Sequence, residues 1–252
     1  MGGFAGAYEA GSGDPIQMVV DRVVLAPYGS VGLIVRSIMG DFISRPQENY
    51  GVHEQFWERL AGLPREETAK RAQCRYLAEC DSFAISLLNT EYVVDPVRRT
   101  IRVAAESRED REAGYSQQLC ILAYLVNARD LPRADQLVGV ERLDPGGFFF
   151  RGSHRLPVEK LANAFGPDPR LLHEAGRMLD AVPRAFGDAS IELLVLSRIP
   201  VTLVIWAADD EFPARASILF DQNATVQLPL DVLFAGAALT INVVLSIVNT
   251  VI

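Results

Sequence analysis

A chain of 252 residues, 49% hydrophobic and 22% charged, is long enough for one large folded domain and is neither disordered nor fibrous in composition. Its 24 basic residues face 32 acidic ones, a formal net charge of -8, so no basic stripe is available to neutralise phosphates and a nucleic-acid partner is not expected. Lys70 and Lys160 are the only lysines; nearly all the positive charge is arginine, whose bidentate fork leaves an anionic ligand open.

Residues 1–13 are rich in Gly and Ala and lack a basic start, so a flexible arm is expected there rather than a secretory signal. Asp14 and Pro15 suit a helix start. The Val-rich stretch 16–43 is broken by Asp21, Arg22, Pro27, Gly29, Arg36 and Gly40, which predicts two short buried elements and no simple membrane span. Phe56, Trp57 and Leu60 fall at helical spacing over 53–61, closed by Gly62 and Pro64, and a second helix is predicted over 65–76.

Alternation of Phe83, Ile85 and Leu87 predicts a strand over 82–88, followed by returns over 91–94 and 100–104: a three-stranded antiparallel meander. A strongly apolar helix is predicted over 116–127, and Gly146 and Gly147 introduce a short aromatic strand over 148–150. Helices follow over 157–165 and over 169–179, the latter capped by Asp168. Strands are predicted over 190–196, 201–206 and 216–220, and the chain closes on a largely apolar stretch over 230–252. Helices and strands come in blocks, which makes the fold α+β: an antiparallel sheet with helices packed on it and a largely apolar C-terminal helix. The patterns divide the chain into an N-terminal arm and apolar extension (1–45), an α+β core domain (46–231) and an apolar C-terminal segment (232–252).

The three cysteines, Cys74, Cys80 and Cys120, form no disulfide framework, so a reducing, cytoplasmic setting is expected. Cys74 and Cys80 are too far apart in sequence for a close ligand pair, and Cys120 lies in an apolar run. No phosphate loop and no nucleophile elbow occurs. His53, His154 and His173 are the only histidines, little material for a metal site or a triad.

Two clusters remain as candidate ligand-binding residues. Trp206 is followed by Asp209, Asp210 and Glu211, with Asp221 closing the next strand. Crowded carboxylates at a strand end could hold a hard cation, or raise one pKa enough for a general acid. The alternative is a solvated hairpin loop shaped by Pro213. Arg151, Ser153 and His154, beside Gly146, Gly147 and Gly152, could contact an anion; the alternative is aromatic core packing followed by a polar loop.

Residues 119–125 with Tyr124, then Gly146, Gly147 and Phe150, then 157–166, together resemble an uncharacterised prokaryotic family of unknown function (family 3786). The resemblance continues at Arg198, Ile199, Pro200 and Val201, at Trp206, at 210–213 and at 218–221. It covers roughly 53–230. It implies a cytoplasmic domain typical of anaerobes, an accessory to corrinoid or metal-cofactor metabolism, and carries over no catalytic residues. The chain departs from the family in lacking a Cys-rich segment for an iron–sulfur cluster and in the uncharged character of its last helix.

Residues 232–252 carry no charge and are long enough to span a bilayer, yet no Lys or Arg flanks them. Asn242, Ser246 and Asn249 form one narrow polar stripe, the pattern of a helix buried in a core or at a subunit interface. The leading expectation is therefore a non-catalytic binding or accessory protein that self-associates through its apolar ends. The alternatives are a metal-assisted enzyme using Asp209, Asp210, Glu211 and Asp221 with Arg151 or His154, and a membrane-associated protein held by its C-terminal segment. Which cofactor is bound, if any, is not readable from the sequence.

Overall fold

A computed structural model describes residues 50–104, 111–143, 149–150 and 154–251. The elements expected over 14–43 lie outside the described residues, as do Arg151 and Ser153.

The described chain is α+β. Helix α1 (Tyr50–Ala61) buries Trp57 and Leu60. Helix α2 (Arg65–Ala72) carries Glu66 and Glu67 in its first turn and Lys70 and Arg71 in its last, which suits the helix dipole. The helix expected over 65–76 ends early because Gln73 turns left-handed, at φ 49°, while the Cys74 amide donates back to Ala69. The chain then extends as β1 (Arg75–Leu77), placing Tyr76 opposite Phe83, and its hydroxyl donates to Asp81 at 3.0 Å.

The expected meander gains this strand and becomes a four-stranded antiparallel sheet, ordered β1-β2-β3-β4, with β2 (Ser82–Leu87), β3 (Thr90–Asp95) and β4 (Thr100–Val103). Register aligns Phe83, Val94 and Ile101 on one buried face. The β2–β3 turn has positive φ at both Leu88 and Asn89 (47° and 61°), as a two-residue hairpin with the right-handed strand twist requires. A leucine tolerates this conformation poorly. Here the Leu88 side chain is buried and its amide donates to the Val195 carbonyl at 3.1 Å, so the turn joins this sheet to the second one.

Helix α3 (Tyr115–Asn127) is buried from Leu119 to Val126. Beyond it come β5 (Leu137–Gly139), α4 (Val158–Phe165), α5 (Arg170–Met178), β6 (Val182–Pro183), β7 (Ala189–Leu196), β8 (Ile199–Trp206), β9 (Arg215–Asp221), α6 (Ala224–Gln227) and α7 (Leu230–Val251). The second sheet is antiparallel with order β5-β9-β8-β7-β6. The short edges β5 and β6 lack a sequence signal of their own. Phe149 and Phe150 do not form the expected strand: β5 already pairs with β9 at that edge, and Phe150 packs instead towards Phe220 and Phe234.

Register puts Ile191, Leu203 and Ile218 in one row of the second sheet, and Leu193, Val201, Phe220 and Val138 in the next. This apolar face and helices α3, α4, α5 and α7 enclose one continuous core. Helix α7 contributes Val232, Leu233, Leu239, Ile241, Val243, Val244 and Ile247 to it. Asn242, Ser246 and Asn249 fall on the open side of α7, as their spacing predicts, and Ser246 donates to the Asn242 carbonyl. By length and composition Leu230–Asn249 could cross a membrane, but 61% of that stretch is buried inside this fold, the pattern of a core helix.

The connection from α3 to β5 is held by side chains rather than by a ladder. Gln227 accepts the Arg129 amide at 2.8 Å, Asn223 donates to the Pro132 carbonyl at 3.1 Å, and the Asp221 carboxylate accepts the amides of Ala134 and Asp135 at 3.1 and 3.0 Å. This strap crosses the outer face of the second sheet beside Glu192.

Candidate functional site

The acidic cluster does not assemble. Asp209, Asp210 and Glu211 lie in the β8–β9 loop, whereas Asp221 sits at the far end of β9, about 20 Å of extended strand away. Asp209 Oδ1 accepts the amides of Glu211 and Phe212 at 2.9 and 2.7 Å, which holds its carboxyl below the usual range. Its role is to shape the turn. Asp210 and Glu211 are exposed. Asp221 is 2% exposed and also receives the Asn223 amide, so its oxygens are committed to backbone. Among the described residues, no three His, Cys, Asp or Glu side chains gather as metal ligands would.

Trp206 is half-buried under the Arg215 guanidinium, 4.8 Å from its ring centre. His154 is exposed, stacked on Phe149 at 4.4 Å and edge-on to Phe234 of α7. Neither is joined to the 209–211 loop or to Asp221 by a described hydrogen bond.

The structure presents a different site, on the outer face of the second sheet. Glu192 stands on β7 opposite Thr202, with its side chain 6% exposed. Arg184 donates to one carboxylate oxygen through Nε at 3.0 Å and Arg133 to the other through Nη1 at 3.3 Å. Both guanidinia are half-exposed. They border a groove of about 700 Å³ shared with Gln136, Pro200 and Phe186, whose ring is 43% exposed. That size suits a small-molecule site. The segment after Pro183 is pressed onto this face: Gly187 has φ +57°, and a Cβ there would lie 2.5 Å from the Ile205 carbonyl. Thr202 is buried beside Glu192, and its hydroxyl has no partner among the described residues.

One trace of this site is visible in the sequence: Glu192 is the only charge in the apolar run 190–196. Arg133 and Arg184 lie in irregular segments where no spacing marks them.

The thiols of Cys74 and Cys120 are each pushed up to about 12 by burial, so they stay protonated and unreactive near neutral pH. His53, 6% exposed and stacked on Tyr115 at 4.4 Å, has its pKa lowered from 6.5 by burial. The unfolded chain therefore binds a proton at His53 that the folded one resists, and stability falls as pH drops below 6.5. Urea melts between about pH 5 and 8 are expected to show this loss, with a flatter slope over about pH 5–6.5 in His53→Gln. Carboxylates held low, such as Asp81 beside Arg65, act only at more acid pH.

No curated protein and no solved structure matches this chain. The family model described as Domain of unknown function (DUF3786) matches residues 65–242, from the start of α2 into α7. The match spans both sheets and the groove over the outer face of the second, and the chain belongs to that family.

Proposed function

We propose that this chain is a non-catalytic, cytoplasmic binding or accessory domain that takes a small anionic ligand in the groove over its second sheet. The supporting observation is the Arg133–Glu192–Arg184 arrangement. Glu192 fixes both guanidinia while using only part of their donor set, and the remaining N–H groups border the groove without a partner among the described residues. Preorganised forks of this kind suit a carboxylate or phosphate, and Phe186 offers a flat apolar surface beside them. The metal-assisted alternative has lost its geometry, because its carboxylates sit at opposite ends of β9.

The link to corrinoid or metal-cofactor metabolism belongs to the same proposal. A macrocycle with carboxylate arms on its rim would place one arm between the arginines. Self-association would use the open stripe of α7, where Ala235, Ala238, Asn242 and Leu245 are only partly covered. A monomer by light scattering at high concentration would remove that element.

The test begins with metal analysis and an absorption spectrum of the purified full chain. Titration calorimetry with succinate, inorganic phosphate and uncharged succinamide follows. Binding of an anion but not of succinamide is expected, weakened about tenfold or more in Arg184→Gln. No heat with either anion, or equal affinity in the variant, rejects the reading.

A further inference from the structure

A second cleft, of about 270 Å³, lies among α1, α3 and the start of β4 and shares no lining residue with the groove. His53 forms part of its wall. The ring is fixed by its stack on Tyr115, and Nε2 is buried without a hydrogen-bond partner among the described residues. Leaving such an atom unsatisfied costs about 1–3 kcal/mol, which marks a place for a donor. Burial keeps this imidazole neutral, so a ring nitrogen is available to accept.

The neighbouring groups share that bias. Gln118 spends its Nε2 on the Ala113 carbonyl at 2.7 Å, and its Oε1 remains as an acceptor. The exposed Glu112 carboxylate meets no donor among the described residues. The guanidinium in the cleft, Arg99, is already paired with Glu54. Trp57, nearly buried, supplies an aromatic wall. Among the described residues the cleft thus offers three uncommitted acceptors, one of them charged, and its cation is already engaged.

We infer that this cleft binds a small primary ammonium group, whose three N–H donors and single positive charge match the acceptors of His53, Gln118 and Glu112. Its volume admits a ligand of about nine heavy atoms, on the share each water takes in the liquid. The aliphatic part of such an amine would lie against Trp57.

The experiment is a titration of the full-length protein with n-butylammonium chloride, read by long-range proton–nitrogen NMR of the imidazoles, with n-butanol as the uncharged control. The His53 signals are identified by their loss in His53→Gln. Glu112→Gln, at an exposed position that leaves packing intact, is the second variant. A saturable shift at His53 Nε2 with the amine and not the alcohol is expected, and affinity about tenfold weaker in Glu112→Gln. No shift up to about 10 mM amine, an equal response to butanol, or an unchanged affinity in Glu112→Gln overturns the assignment and leaves the cleft to water.

Discussion

Arg198→Ala is expected to lower stability by about 4 kcal/mol and the melting midpoint by about 10 °C. Arg198 sits in the β7–β8 turn and is only 7% exposed. Its guanidinium donates to the Arg71 carbonyl at 2.8 Å, to the Leu131 carbonyl at 2.9 Å and to Asp130 at 2.7 Å, while its own amide donates to the Tyr124 hydroxyl. One side chain thus ties α2, the strap and the second sheet together. Truncation strands the Arg71 carbonyl at about 1–3 kcal/mol, leaves the Leu131 carbonyl only the 3.4 Å bond from Gln227 Nε2, and removes the packing of the aliphatic stem. Asp130 is half-exposed and returns to water, so it adds little. Lysine carries one compact ammonium and cannot satisfy three acceptors spread around a planar fork, so Arg198→Lys is expected to recover less than half of the loss. Thermal melts of the three proteins measure this. A midpoint for Arg198→Ala within about 2 °C of wild type would reject the account.

The second large effect is expected at Asp221. Its carboxylate accepts three backbone amides, two from the strap and one from Asn223. Bonds to a charged acceptor contribute about 1.5–3 kcal/mol each, and Asp221→Ala leaves three donors unmet, so a loss of at least about 4.5 kcal/mol is expected. Asp221→Asn is informative because it divides the carboxylate. Its carbonyl can still take the Ala134 and Asn223 amides, which share Oδ1, but its amino group then faces the Asp135 amide, and about half the loss is expected. Denaturant unfolding of both variants measures the difference. Equal stability of the two would mean that the charge, not the pattern of acceptors, sustains the site. Neither change touches the 209–211 loop.

The regular elements of this fold were legible wherever period and burial coincide. The second sheet's long strands read as apolar runs because they are buried at nearly every position, and α7 announced its open side through Asn242, Ser246 and Asn249. Irregular joints were not legible. Nothing in the residues around Gln73 signals that a non-glycine will turn left-handed and end α2, and β1 was hidden inside the continuing helical pattern. The acidic residues stay apart for a related reason. Nearness in sequence suggested that Asp221 would join Asp209, Asp210 and Glu211, but a seven-residue strand separates its ends more than a carboxylate cluster tolerates. Arg133, Arg184 and Glu192 converge from a strap, a post-strand segment and a strand, and only the tertiary fold brings them together.

The strap between α3 and β5 has a consequence for motion. Its backbone is anchored by Gln227, Asp221 and Asn223, which all lie at the β9–α6 corner, with Arg198 adding a grip on Leu131. Bonds that share one corner are released together, so the strap behaves as a single cooperative unit whose opening costs less than global unfolding. Arg133 rides on that unit and Arg184 does not. Each excursion of the strap would part the two arginines and admit solvent to Glu192. The lifetime of the closed strap, rather than the shape of the groove alone, would then set how long a bound anion stays.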